Sequence, residues 1–343
     1  MRKFCTLVLL LIFTITLVAT EAEAQRFTQR KRYGSIGLSL GATNYFGDIV
    51  PEPDFTSLRF KSTRPSAGIS YTYRYFPRIS FRGAFQWGRI VGDDMLSASE
   101  NESENIGRFG RNLSFRNDIK ELSGVVIVDL FENRQTYRRR PDFVPYGFVG
   151  VALLHHNPKA YYERGSYYAP GSGRTLAPED DIPTGWYELQ PLGTAGQYAN
   201  GDYPEPYKRI QIAIPFGLGV RYKIDRYWDL SLEVGWRKTF TDYLDDSSGG
   251  YASKADILAG GGSNPKAAAL LSDRSAASGF TVVNDESGTP YGSATLNPNS
   301  TSQSYGTIRN NRRGNDADDD WYITSNITLN YILTPRIRSP KFR

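Results

Sequence analysis

His155 and His156 are the only histidines in the 343-residue chain, and histidine is the usual carrier of general-base or zinc-ligand chemistry. They are adjacent at the end of an apolar run, so in an extended backbone their side chains diverge. No other ligand stands at a zinc spacing from them. Carboxylates gather elsewhere: Asp242, Asp245 and Asp246 open one long segment and "DADDD" (316–320) closes it. Together they could collect Ca2+, but they lack the fixed spacing of a calcium loop and read as a solvated acidic rim. No histidine is placed as the base of a hydrolytic triad, and there is neither a G-x-S-x-G nor a phosphate-cradling glycine loop before a helix. The expectation is a protein with no catalytic residue, no metal and no cofactor.

The remaining chemistry is charge on one face of alternating runs. In "PFGLGVRYKIDRYWDLSLEVGWRKTF" (215–240) Trp228, Leu230, Leu232, Val234 and Trp236 share a face, with Asp229, Glu233 and Arg237 opposite. Eight such period-two runs recur, over 33–46, 64–76, 79–90, 117–131, 143–156, 210–223, 228–240 and 321–333. They predict β-strands. The fifth, "FVPYGFVGVALLHH", is apolar on both faces and leaves its register open.

Connection lengths then select the class. After the second, fourth and sixth runs the links are short; after the others they are long, at 47–63, 91–116, 156–208 and 241–320. Short and long links alternating over an even strand count predict an all-β, eight-stranded antiparallel transmembrane barrel of the outer membrane, with short periplasmic turns and long extracellular loops. A soluble sandwich has no reason to sort its loops this way. Charge sorts likewise: the short-link side carries 14 Lys/Arg and 3 acids (14 − 3 = +11), the four long loops 15 and 26 (15 − 26 = −11).

Eight strands leave an interior just wide enough for side chains. The inward set predicted is Arg74, Arg82, Glu121, Asp129, Arg221, Lys223, Asp229, Glu233 and Arg237, expected to pair into a plug in preference to a conduction path. Trp87, Tyr222, Trp228, Trp236 and Trp321 are expected at or facing lipid. The third loop, with "NPKAYYERGSYYAP" and "GWYELQPLGTAGQY", is too aromatic for disorder; it reads equally as a fold over the barrel mouth and as a partner or glycan contact. At the N-terminus "MRKF", an apolar run and Ala22-Glu23-Ala24 predict a signal peptide over 1–24, leaving 25–343 as the barrel domain. Cys5 is the only cysteine, so no disulfide is expected. "YRRR" (137–140) would be a nucleic-acid patch in another setting; on the periplasmic side it is not.

Several stretches together resemble the PorG family: "NYFGD", "RNLSFRNDIKELS", "NPKAYY…WYELQPLGTAGQ" before "IPFGLGVRY", "RKTFTDYLDD" and "DDDWY", spanning nearly the whole mature chain. The resemblance implies a non-enzymatic outer-membrane barrel of the type IX secretion and gliding machinery, associated with a periplasmic ring of the PorK lipoprotein and PorN. The chain departs from the family in its long Gly/Ser/Asn-rich 249–315 segment and in its ending "RIRSPKFR", which moves the barrel-assembly signal to the internal "NYIL". From charge, Arg138, Arg139, Arg140, Arg336 and Arg338 are the candidate docking residues. Anionic inner-leaflet lipids could claim the same charges. The rival functions are a small porin or apolar-solute channel and, more weakly, a surface adhesin.

Overall fold

The computed structural model describes residues 31–49, 62–94, 111–163, 182–274 and 312–334. Eight long strands form its body: β1 (Tyr33–Phe46), β2 (Arg64–Arg74), β3 (Ile79–Asp93), β4 (Ser114–Asp129), β5 (Phe143–His155), β8 (Ile210–Lys223), β9 (Trp228–Thr239) and β10 (Trp321–Leu333). Each pairs antiparallel with its sequential neighbour, and β1 pairs with β10 from Gly34↔Leu333 to Phe46↔Trp321, so the ring closes without an edge. The chain is therefore an eight-stranded antiparallel β-barrel. β3 and β4 run about three residues further up than the alternation predicts, pairing Asp93 with Ser114 where a loop was expected.

The barrel is inside out by the standard of a soluble protein. Leu40 and Leu218 are 71% and 67% exposed on the outer wall, whereas Arg74, Glu121 and Asp129 inside are 2–3% exposed. Water cannot be the solvent of such a wall. Between Trp228 and Trp236 on β9 lie eight residue steps (236 − 228), about 26 Å along the strand at ~3.3 Å each. At a tilt near 40° that is about 20 Å of height, close to the apolar band of a membrane barrel. β5 is apolar on both faces because its inner side chains, Val144, Tyr146, Phe148, Ala152 and Leu154, are buried core. That packed interior fixes the register that periodicity alone leaves open.

Above the ring the long loops build a second layer. A hairpin of β6 (Pro158–Tyr162) and β7 (Gly185–Glu188) continues the sheet from the top of β4 through Arg116↔Lys159. Three short helices follow: α1 (Leu189–Leu192), α2 (Lys254–Ala259) and α3 (Pro265–Ser272). Their ends are written in the sequence. Asn264 caps α3 by accepting from the Ala267 amide at 3.1 Å, with Pro265 in the first turn, and Ser253 does the same for α2. α1 stops at Gly193, whose φ of 72° is the left-handed conformation glycine adopts freely. Ala160, Tyr162, Ile182, Leu189, Leu192, Ile257, Leu270 and Leu271 share one buried core, so parts of the two longest loops fold together as a cap. The segment read as a signal peptide lies outside the described residues, as do Arg336 and Arg338.

Candidate functional site

The inward charges meet in pairs, and the pairs cross the barrel. In the ring order β1-β2-β3-β4-β5-β8-β9-β10, β3 and β9 stand diametrically opposite, as do β4 and β10. Arg82 on β3 donates to Glu233 on β9, and Tyr146 on β5 donates to the same carboxylate at 2.5 Å. Tyr322 on β10 donates across to Glu121 on β4 at 2.6 Å, and Arg237 adds its Nε at 3.3 Å. Lower down, Asp129 is shared by Arg74 at 3.0 Å and Arg221 at 3.4 Å. Seven of the nine charged residues expected inside, all but Lys223 and Asp229, are thus brought together in three clusters, held as transverse struts.

Sequence reasoning missed what surrounds the struts. Gln86 lies 3.4 Å from Arg237 and 3.2 Å from Asn326, and Ser66 donates to Asn326 at 3.1 Å, so neutral polar groups complete the layer. Towards the long-loop end the interior turns apolar, with Tyr45, Ile90, Phe115, Ile119, Leu154, Leu244 and Tyr322 in one cluster. Between the lower struts remains a cavity of about 30 Å3 lined by Arg74, Arg82, Tyr146, Arg221, Asp229 and Glu233. That is room for a water or two.

Arg140 departs from expectation. It is not part of an exposed basic rim: it is 5% exposed and reaches up into the barrel floor. There it binds Asp229 at 2.6 Å and donates to the carbonyls of Asp225 at 2.8 Å and Arg226 at 3.0 Å. Charge counting could not see this, because Lys223, the inward base expected opposite Asp229 on β8, turns to Asp142 instead. The link 130–142 folds underneath to supply Asp229 with a partner. Its short 3-10 turn (Tyr137–Arg139) buries Tyr137 against Tyr33 and Tyr227, sealing the floor. Arg138 and Arg139 point out and are exposed, with Arg138 also near the Tyr137 hydroxyl at 3.2 Å. Lys223 leaves the interior to pair with Asp142 at 2.9 Å.

The acidic "rim" is also partly a burial site. Asp316 and Asp318 are exposed as expected, but Asp245, Asp246 and Asp320 are buried at the seam between barrel and cap. The Tyr45 hydroxyl lies 2.8 Å from Asp245 and 2.6 Å from Asp320, donating to one carboxyl and accepting from the other, while Arg313 and Tyr207 hold Asp246 at 3.0 and 2.7 Å. Burial, reinforced by neighbouring carboxylates, pushes Asp245 and Asp320 well above the usual carboxylate range and Asp242 up to about 9. Asp242 therefore holds its proton at neutral pH. Among the described residues no group of three His, Cys, Asp or Glu is arranged to hold a metal. The two histidines diverge: His155 is half-buried, and His156 is fully buried with its Nε2 3.1 Å from the Lys208 carbonyl and its ring stacked on Tyr207. Burial lowers His156 to about 4, which leaves it neutral.

On the outer wall Tyr222, Trp228 and Tyr331 lie exposed at the short-turn end, and Trp236 stacks on Phe216 at the other. Trp87 shares the outer face of β3 with Phe81 and Phe85, and Trp321 stacks on Phe46 at 4.8 Å at the mouth.

With this geometry established, likenesses to known proteins can be placed. A family model described as a domain of unknown function, DUF6089, matches residues 7–177. A search of curated proteins gives no match. Among solved structures, Neisserial surface protein A is similar at 7% identity over 88% of this chain and 96% of its own, with a TM-score of 0.32. The attachment invasion locus protein Ail of Yersinia pestis gives 9%, 88%, 97% and 0.31. OprG of Pseudomonas aeruginosa gives 9%, 89%, 98% and 0.33. The fold is fixed by the closed strand ring and its exposed apolar belt, independently of these likenesses.

Proposed function

We propose that this chain is a non-enzymatic barrel subunit of the outer membrane that docks a periplasmic assembly in the type IX protein secretion machinery, the role its PorG-like motifs imply. The observation that supports a docking over a conducting role is the pair of full-diameter struts, Arg82–Glu233 and Tyr322–Glu121. Each occupies the space through which a solute would pass, and Arg140 stoppers the floor beneath them. A barrel filled in this way is a rigid membrane peg with two usable ends.

The short-turn end supplies the docking surface in this reading. Arg78, Arg138, Arg139 and Arg226 are exposed there, with Glu132, Asp142 and Asp225 as the exposed acids nearby. A ring lipoprotein and its partner, PorK and PorN by resemblance, would meet that basic rim. Arg140 is excluded because it is spent on the floor.

The test is a crosslinked pull-down from outer membranes of wild type and an Arg138→Gln/Arg139→Gln variant. The docking reading expects a folded, heat-modifiable barrel that loses the ring proteins and secretes poorly. Normal ring retention with normal secretion would remove the rim from the contact. The rival small-channel reading is checked on the same preparation: stepwise ionic or solute conductance in planar bilayers would replace docking with transport.

A further inference from the structure

Just above the apolar belt, one wall of the barrel differs from the others. The last exposed apolar row there is Phe85 beside Leu122. The next row up sets Trp87 beside Lys120, the next Arg89 beside Asp118, and the next Val91 beside Arg116. The β6–β7 hairpin extends this wall sideways, placing Lys159 beside Arg116 and Tyr161 beside Trp186. All these side chains point outwards, by the alternation that puts Ile90, Phe115, Ile119 and Glu121 inside. Elsewhere on the outer wall towards the long-loop end, Pro65 and Ala67 on β2, Ile210 and Ile212 on β8 and Ser325 on β10 are uncharged. Lys238 on β9 is tied to Asp319 at 3.5 Å.

The basic groups of this wall are ordered. Arg89 grips Asp118 at 2.6 and 3.2 Å with its Cζ 5.6 Å from the Trp87 ring centre. Arg116 lies 3.8 Å from the same Asp118, over the Trp186 ring at 4.1 Å. Trp186, 48% exposed, packs on Tyr161 at 5.3 Å. Lys159 and Arg209 share Glu188 at 3.0 and 3.2 Å. Lys120 is exposed with no partner among the described residues. Counting Arg89, Arg116, Lys120, Lys159 and Arg209 against Asp93, Asp118 and Glu188 leaves 5 − 3 = +2 in a loop layer that is otherwise acidic.

We propose that this wall seats the phosphate of an anionic, phosphorylated glycolipid in the outer leaflet, with Arg116, Lys120 and Lys159 as phosphate ligands and Tyr161 and Trp186 as headgroup anchors. The belt decides the class of partner. It fixes the bilayer edge at the Trp87–Lys120 row, so the group facing the next two rows is a lipid headgroup. Positive charge selects an anionic one, and exposed Tyr and Trp are the side chains that settle at that depth. Guanidinium and ammonium groups side by side match phosphate oxygens. The inference rests on the outer-membrane orientation proposed above.

The experiment uses the purified full chain in neutral detergent, with lipid A as probe and lipid retained per barrel after gel filtration as readout. Wild type should retain lipid A, and Arg116→Gln/Lys120→Gln/Lys159→Gln should bind about a hundredfold more weakly, at roughly fivefold per basic residue. Lys238→Gln, on the opposite wall, should bind as wild type. Dephosphorylated lipid A should not be retained, and excess inorganic phosphate should compete only weakly, since it lacks the acyl chains that pack on the belt. Equal retention of the dephosphorylated lipid, unchanged binding by the triple variant, or full displacement by inorganic phosphate would each overturn the proposal. Should the triple variant not fold, Lys120→Gln alone removes a side chain with no described partner and must still weaken retention. Protease accessibility of the cap on intact cells reads the orientation separately: a cap reached only from the periplasm refutes the outer-leaflet setting while leaving the phosphate measurement to stand alone.

Discussion

Replacing Glu233 by Ala removes one end of a strut and leaves the other behind. Arg82 would keep its charge in the barrel interior with its Cζ 5.1 Å from the Phe148 ring centre and no carboxylate within reach, and Tyr146 would lose the acceptor it holds at 2.5 Å. Breaking a buried pair from one side costs about 3–5 kcal/mol, because the desolvation already spent on the survivor is no longer offset. That corresponds to roughly a 10²–10⁴-fold shift in the unfolding equilibrium. Removing both charges with shape-matched apolar residues, Arg82→Met with Glu233→Leu, should be near neutral or stabilising by about 1–4 kcal/mol. The signature is thus a reversal: the single variant loses stability and the double regains it. Urea unfolding in lipid vesicles, followed by tryptophan fluorescence and by the heat-modifiable shift on gels, measures both. A Glu233→Ala barrel as stable as wild type, with the double variant indistinguishable from it, would refute the idea that crossing pairs hold the interior. The same proteins in planar bilayers report the second consequence, since removal of a strut should introduce leak conductance.

Three further outcomes follow from the cap and its seam. His156, folded near 4 against an ordinary 6.5, contributes stability that is present above pH 6.5 and lost as pH falls through 4; the ceiling is about 3 kcal/mol. Near-UV circular dichroism of the stacked Tyr207 should fade across that window, and His156→Gln should flatten the profile. Asp242, raised to about 9, contributes in the opposite sense: its stabilising protonated state is complete below the ordinary carboxylate range and is lost as pH climbs to about 9. Asp242→Asn should keep the cap closed at alkaline pH, read as slower proteolysis of 241–274 than in wild type. Leu271→Ala, at a 2% exposed position, should cost the cap core about 2–5 kcal/mol and speed cleavage there while the barrel stays heat-modifiable.

The barrel strands were legible because their constraint is local. Each must alternate so that one face meets lipid, and the runs at 33–46, 210–223 and 321–333 coincide with β1, β8 and β10. Which charges face inward follows from the same period, and three acids there find inward arginines. The missing pieces are those that period cannot encode. Asp229 is completed by Arg140 from a turn, 89 residues away, so a rim residue by composition becomes a floor residue by partnership. Asp245 and Asp320 read as solvated because acids in loops usually are; their burial depends on Tyr45 at the barrel mouth, 200 and 275 residues away, which no local pattern encodes. The cap's helices were readable in part, since "SNPKAAALLS" carries an Asn cap, a Pro in the first turn and strong helix formers.

The crossing struts also bear on how such a barrel can be made. Arg82 meets Glu233 across 151 residues, Glu121 meets Tyr322 across 201, and Tyr45 meets Asp320 across 275. No N-terminal portion that ends before β9 contains both halves of any of these contacts. Half-made barrels must carry Arg82 without Glu233 until β9 arrives and Glu121 without Tyr322 until β10 does, and contacts so distant in sequence are slow to form. Assembly is therefore committed late and all at once, and a chain ending before Trp321 would reach the membrane with Glu121 lacking its partner on the opposite wall and with no strand to close against β1.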